Sequence, residues 1–149
     1  MDFRKANIDD IPSLIEMRKQ QLLDEGLNPI ANIDIDLKEY FQHTLTDGSF
    51  ISWLVVDQST IIATSGLCFY QLPPTYSNPT GRVAYVTNMF TKKEYRKQGI
   101  SSHLLHLIID EAKQRNYKVI RLHASVDGKP MYIKEGFTDS YGYMSFNVP

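Results

Sequence analysis

The sequence predicts an α/β fold of the α+β type, with a mixed central sheet of six or seven strands flanked by about four helices. Three observations carry this prediction. Runs rich in β-branched and aromatic residues, among them 50–56, 61–70 and 83–90, are bounded by turn-forming residues. Apolar residues at helical spacing precede these runs and recur after them at 100–109. Finally, a helix-like run separates strand-like 83–90 from strand-like 118–124, and such a crossover is expected to place a parallel pair at the centre of the sheet.

Taken in order, Phe3 to Ala6 forms a short first strand. Asn7 or Asp9 caps a helix with Pro12 in its first turn. Its apolar positions Ile11, Leu14, Ile15, Met17, Leu22 and Leu23 run as far as Glu25-Gly26. A connection containing Asn28-Pro29 leads to a second helix, capped by Asp34 or Asp36, with Leu37, Tyr40, Phe41 and Leu45 on one stripe and Gly48 at its end. Strands 50–56 and 61–70 are joined by Asp57-Gln58-Ser59-Thr60, as in a hairpin. Residues 71–81 contain Pro73, Pro74 and Pro79 and read as a loop. Strand 83–90, a helix ending near Arg115-Asn116 and strand 118–124 follow. Pro130 to Glu135 is a short helix closed by Gly136, and 137–148 offers one or two last strands with Tyr141, Tyr143, Phe146 and Val148. The order is β-α-α-β-β-β-α-β-α-β, without repeat or linker, so residues 1–149 read as one domain.

Composition narrows the function. A net charge of −1 argues against a general nucleic-acid or membrane-surface binder, since both need a strong positive field. The single cysteine, Cys68, excludes an internal disulfide and a cysteine-based metal cluster, and its apolar run marks it as a buried bystander. No histidine pair has convincing metal-ligand support, so no metal is expected. The first residues lack the long apolar stretch of a signal peptide and no segment has the length to span a bilayer; cytoplasmic is the default reading.

Chemistry concentrates at 83–109. The strand leads into a basic turn, Lys92-Lys93-Glu94-Tyr95-Arg96-Lys97-Gln98-Gly99, and a helix opens at Ile100. A glycine at such a corner permits a tight turn and close ligand approach. The opening helical turn offers free N–H groups with the positive end of the helix dipole behind them. This corner suits phosphate. A Walker loop and a Gly-x-Gly-x-x-Gly fingerprint are both missing, which weighs against ATP- or GTP-dependent phosphotransfer.

Arg96-x-x-Gly99-x-Ser101 resembles the Gln/Arg-x-x-Gly-x-Gly/Ala signature with which GNAT superfamily N-acetyltransferases bind the pyrophosphate of acetyl-CoA. Met131-Tyr132-Ile133-Lys134-Glu135-Gly136-Phe137 resembles the family's Leu-Tyr-x-x-x-Gly-Phe segment. The order of elements is also that of the family. The resemblance implies an acetyl-CoA-dependent N-acetyltransferase acting on a primary amine by direct attack in a ternary complex. The alternative is a non-catalytic acyl-CoA-binding module of the same fold.

By the same resemblance, the backbone of Met89, Phe90 and Thr91 pairs with the pantetheine arm, and Lys97, Gln98, Gly99, Ile100, Ser101 and Ser102 surround the pyrophosphate, with Arg96 and Lys97 attracting it. Ser101 stands where glycine or alanine is usual, and Ser125 where many members have asparagine for a cofactor contact. Tyr132 is implied as the general acid that protonates the departing sulfur. The general base stays open between His123, Asp127 and a water near Asn88. Lys134 is either a contact to the 3′-phosphate of CoA or a surface lysine. Acceptor specificity is expected from the first two helices and loop 71–81: Asp24, Glu25, Asp34 and Asp36 can attract a cation, and Phe69, Tyr70 and Tyr76 can line a pocket. The partners expected are acetyl-CoA and an amine. Small sheets with exposed C-terminal strands often pair, so a homodimer is an open expectation that no specific residue supports.

Overall fold

The computed structural model describes residues 1–140 and 142–149. Among these, six strands form one mixed sheet: β1 (Asp2–Lys5), β2 (Phe50–Ile51), β3 (Trp53–Asp57), β4 (Thr60–Gln71), β5 (Arg82–Thr91) and β6 (Val119–Leu122). The order is β1-β3-β4-β5-β6, with β2 also paired to β4. All pairs are antiparallel except β5 and β6, which are joined by the long helix α3 (Ile100–Gln114). Helices α1 (Ile11–Asp24) and α2 (Asp34–Asp47) precede the sheet's main part, and α4 (Lys129–Lys134) follows β6. None of the described helices is long and apolar enough to cross a membrane.

Strand alternation assigns the two faces. Phe50 and Leu54 pack with Ile11, Leu14 and Phe41 of the first two helices. Their neighbours Ile51 and Val55 point the other way, where Leu67, Ala84 and Val86 meet Leu105, Ile108 and Ala112 of α3. Leu104, Leu105 and Ile108 are fully buried. Burying each such side chain stabilises the fold by roughly 1.5–3 kcal/mol, so α3 is anchored along its whole apolar face. The start of α1 is fixed separately. The Arg4 guanidinium grips both Asp10 oxygens at 2.8 Å, and the Asn7 N–H donates to Asp10 at 2.9 Å.

Several expectations are corrected. The strand expected over 50–56 is two pieces, because Ser52 turns its hydroxyl onto the Ser65 carbonyl at 2.5 Å while Ser65 Oγ donates to the Trp53 carbonyl at 3.1 Å. The second helix starts at Asp34 with Ile33 at its N-cap position, and the side-chain contact comes from the preceding residue, Asn32, whose Oδ1 accepts the Asp34 N–H at 3.0 Å. On α1 the buried stripe continues from Met17 to Gln21, whereas Leu23 is 55% exposed. The described part of 137–148 contains no strand, and Tyr141 lies outside the described residues. Phe146 and Val148 are each 85% exposed there, so their strand propensity gains no buried face or paired edge to act on. With no such strand beside it, β6 ends the sheet, and the parallel pair stands at one end rather than at the centre.

One irregularity positions everything that follows. The β4–β5 register breaks between Thr64 and Gly66, opposite Asn88, which takes a left-handed φ of +55°. A bulge of this kind bends its strand and raises the local twist. Gly66 makes room for it: a Cβ there would lie 2.7 Å from the Phe50 ring and 3.1 Å from Asn88 Cβ. Because Phe50 is itself buried on all sides, Gly66→Ala is expected to lose roughly 1–3 kcal/mol of stability. Urea denaturation measures this; a loss below about 0.5 kcal/mol would show that the bulge does not need the space.

Candidate active site

Parallel pairing of β5 with β6 extends only over Val83–Val86 against Val119–Leu122. Beyond this the strands part. Residues 87–91 of β5 keep β4 on one side and have no β6 partner on the other. The gap opens into a cleft of about 610 Å³ whose walls include Met89, Phe90, Thr91, Ser101, Ser125 and Tyr132. Six residues from four separate parts of the sequence thus converge on one space.

The turn after β5 delivers the start of α3 to this cleft. Lys97 and Gly99 both take left-handed φ values, +62° and +78°. A Cβ on Gly99 would meet nothing within 4 Å, so the glycine serves the backbone conformation and leaves the corner open. The first bond of the helical ladder runs from the His103 N–H to the Gly99 carbonyl at 3.1 Å. The N–H groups of Ile100, Ser101 and Ser102 precede that ladder and face outward. Ser101 Oγ and Thr91 Oγ1 lie 3.0 Å apart, which ties the first turn of α3 to the end of β5.

Arg96 is braced more firmly than its place in a surface turn suggests. Its Nε donates to the Thr91 carbonyl at 2.9 Å, its Nη2 reaches Asp24 at 2.8 Å, and its guanidinium lies 5.6 Å from the Phe90 ring centre. The arginine therefore joins the corner to the end of α1. Lys97 and Gln98 are exposed beside it. Ser125 also has local work, since its Oγ accepts the Gly128 N–H at 3.1 Å and so holds the turn before α4. Lys134 is exposed on α4.

Tyr132 projects from α4 into the base of the cleft and is 8% exposed, stacked edge-on to Phe137 at 5.8 Å. Burial, with the nearby Glu25 carboxylate adding to it, pushes its phenol up to about 12. His123 and Asp127 line the same cleft and are exposed. Asn88 is buried at the bulge, where its Oδ1 accepts from Thr87 Oγ1 at 3.1 Å. His103 and His106 stand apart. The first stacks on Phe3 at 4.2 Å, and the second pairs with Glu135 at 2.6 Å.

Of the residues considered for an acceptor site, Asp24 and Glu25 line the cleft, whereas Asp34 pairs with Lys19 at 3.1 Å and Asp36 is exposed. Tyr70 lines a neighbouring cavity of about 320 Å³ that shares His123 and Tyr132 with the cleft. Phe69 instead packs on Tyr117, and Tyr76 is fully exposed. Gln21 is a cleft residue that sequence reasoning missed. Its signal was there: a polar side chain occupying the next turn of the Leu14–Met17 stripe.

The comparisons bear on the fold and family. Residues 16–137 match the Acetyltransferase (GNAT) family. A predicted acetyltransferase from Clostridium acetobutylicum, whose crystal structure was determined with acetyl-CoA, is 41% identical; the match covers 98% of this chain and 95% of that one, with a TM-score of 0.95. A GCN5-related N-acetyltransferase from Ralstonia eutropha JMP134 is 24% identical over 99% of this chain and 97% of that one, at a TM-score of 0.92. Glucosamine-6-phosphate N-acetyltransferase from Arabidopsis thaliana shares the fold at 17% identity and a TM-score of 0.77, covering 99% of this chain and 98% of that one. No curated protein matches the chain by sequence. The chain belongs to the GNAT acetyltransferase family.

The Gly99 corner generates a direct check. Gly99→Ala forces a Cβ into a left-handed backbone and should cost about 1–2 kcal/mol, whereas Gly99→Asn should cost less. Thermal or urea unfolding of the two variants checks the order; equal stability of all three proteins would contradict the reading of this turn.

Proposed function

We propose that this protein transfers an acetyl group from acetyl-CoA to a primary amine by direct attack within a ternary complex. One observation carries the reading: Ser101 in the first turn of α3, residues 89–91 on the unpaired side of β5 and Tyr132 all line one cleft. The pyrophosphate lies on the N–H groups of Ile100, Ser101 and Ser102, where the helix dipole favours negative charge. Gly99 gives it room, and Lys97 and Gln98 flank it. The pantetheine amides pair with Met89, Phe90 and Thr91 as an added strand would. The acetyl-CoA in the crystal structure of the Clostridium relative supports acetyl-CoA as the ligand.

The thioester carbonyl then lies near the bulge. A main-chain N–H near Phe90 polarises it and stabilises the tetrahedral oxyanion. Removing one such donor typically costs about 2.7–4 kcal/mol of transition-state stabilisation. The amine nitrogen attacks the carbonyl carbon, the carbon–sulfur bond breaks, and Tyr132 gives its proton to the leaving sulfur. Direct attack fits the chemistry available. The chain's one cysteine, Cys68, does not line the cleft, is bonded to the Tyr40 hydroxyl at 3.2 Å, and has its thiol pushed up by burial. It is a poor nucleophile for an acyl-enzyme route. Arg96 contributes through the brace it makes as well as through its charge.

The engagement of Ser125 with Gly128 favours a second reading, a non-catalytic acyl-CoA-binding module, because that side chain already has a partner within the protein. An amine-panel assay read by mass spectrometry separates the two: transfer to any amine excludes the module, and tight acetyl-CoA binding without transfer excludes the enzyme.

Tyr132→Phe is expected to lower kcat at least tenfold while acetyl-CoA affinity changes less than threefold, the signature of an interaction made in the transition state. A high phenol pKa makes a second outcome checkable. The protonated form acts, so activity due to this group is retained up to about pH 12 and lost above it. An unchanged kcat in the variant removes Tyr132 from the chemistry.

A further inference from the structure

The connection between α1 and α2 carries a surface that the transfer reaction above does not use. Leu22 and Leu23 at the end of α1 face Leu27, Pro29, Ile30 and Ile33 across a groove of about 450 Å³. Leu27 is 55% exposed and Ile30 92% exposed. A contiguous apolar surface left in water next to a reactive cleft marks a place where a ligand or partner lies. The charged side chains on the groove wall, Lys19 and Asp34, neutralise each other at 3.1 Å, and Lys19 also reaches Glu16 at 3.0 Å. The groove therefore presents hydrocarbon with no unmatched charge.

Leu27 lines this groove and the Tyr132 cleft alike, so the two spaces adjoin at this side chain. Glu25, two residues earlier, stands on the cleft side. Its position is set by a chain of side-chain hydrogen bonds along α1. Arg18 Nη1 donates to Gln21 Oε1 at 3.0 Å, and Gln21 Nε2 donates to Glu25 Oε1 at 3.1 Å. Gln21 is buried, which keeps this relay in one geometry. Asp24 is already committed to Arg96 at 2.8 Å and lies 3.8 Å from Lys93. Among the described residues Glu25 has no cationic partner, so its charge is available to a ligand.

We propose that the acceptor is a primary amine carried on an apolar body, with its ammonium at Glu25 and its hydrocarbon part passing over Leu27 into the Leu23–Ile30 groove. The proposal rests on the acetyl-transfer reading, and it deepens that reading by naming the acceptor's chemistry. Glu25 receives the first amine proton and passes it to water. The freed lone pair forms the bond to the acetyl carbon, and the carbon–sulfur bond breaks. Sulfur takes the Tyr132 proton, and the second proton lost from nitrogen restores the phenol through water. Net, an ammonium and acetyl-CoA yield an acetamide, CoASH and one proton. Gln21 is a positioning residue: it touches Glu25 and acts through it.

The test is a series of unbranched alkylamines, from propylamine to octylamine, run beside ethanolamine and spermidine at saturating acetyl-CoA. The kcat/KM should rise about fourfold for each added methylene until the groove is filled, and the polar amines should be poor acceptors. Ile30→Asp and Leu27→Asp alter exposed side chains, so both should fold, and both should flatten the series. Glu25→Gln should raise KM and lower kcat for every amine, reducing kcat/KM at least tenfold, with acetyl-CoA affinity by calorimetry unchanged. Gln21→Ala should raise KM in the same direction but less, and Gln21→Glu should not rescue it. A flat series, or equal use of spermidine, overturns the apolar acceptor while leaving acetyl transfer intact. Acetyl-CoA binding with no amine consumed overturns this proposal and the transfer reading together, and absence of acetyl-CoA binding removes the cofactor reading on which both stand.

Discussion

The parting of β5 from β6 after Val86 and Leu122 is the constraint on which the rest of the structure depends. Two parallel strands that stayed paired would satisfy each other's main-chain groups and leave nothing to offer a ligand. Here the bulge at Asn88 redirects β5, while β6 ends and the chain turns off through Ser125 toward α4. The bulge is held from behind by Thr64 Oγ1, which donates to the Asn88 carbonyl at 2.9 Å, and by the space Gly66 leaves beside Phe50. A deep apolar core on both faces of the sheet makes this local irregularity affordable, since α3 is anchored by Leu104, Leu105 and Ile108 whatever the strand ends do.

The end of α1 forms the second organising point. Asp24 ties it to Arg96 and hence to the corner that opens α3, and Glu25 sits one residue further on, held through Gln21. Because the salt bridge is partly exposed, its direct contribution to stability is small, of order 0–1 kcal/mol. Its value is geometric: it joins the corner before α3 and the end of α1 into one frame. Three side chains at the end of one helix, Gln21, Asp24 and Glu25, thus border the cleft together.

How much of this was legible in the sequence depended on the kind of signal. The crossover over 83–124 could be read because strand periodicity, a glycine corner and a long apolar helix agree with one another. Gly99 was legible as a corner glycine and Tyr132 through the family resemblance, and the cleft brings Tyr132 to one space with Phe90, Ser101 and Ser125. Long-range facts were not legible. Nothing in the spacing of Asp24 and Arg96, 72 residues apart, announces their contact, and the bulge at Asn88 depends on a Phe50 ring that packs behind it. The C-terminal strands were expected from propensity alone, and propensity does not form a strand without a neighbour to pair with. The opposite error occurred on α1, where counting apolar residues favoured Leu22 and Leu23 and passed over buried Gln21.

The central claim is that the first turn of α3 grips a diphosphate while the unpaired side of β5 takes up the attached arm. Backbone-resolved NMR during titration with coenzyme A tests it most directly. The account predicts that the N–H resonances of Ile100, Ser101 and Ser102 move together with those of Phe90 and Thr91, all following one binding curve. Saturation of the protein with those five resonances unmoved, and the changes gathered elsewhere on the surface, would contradict it.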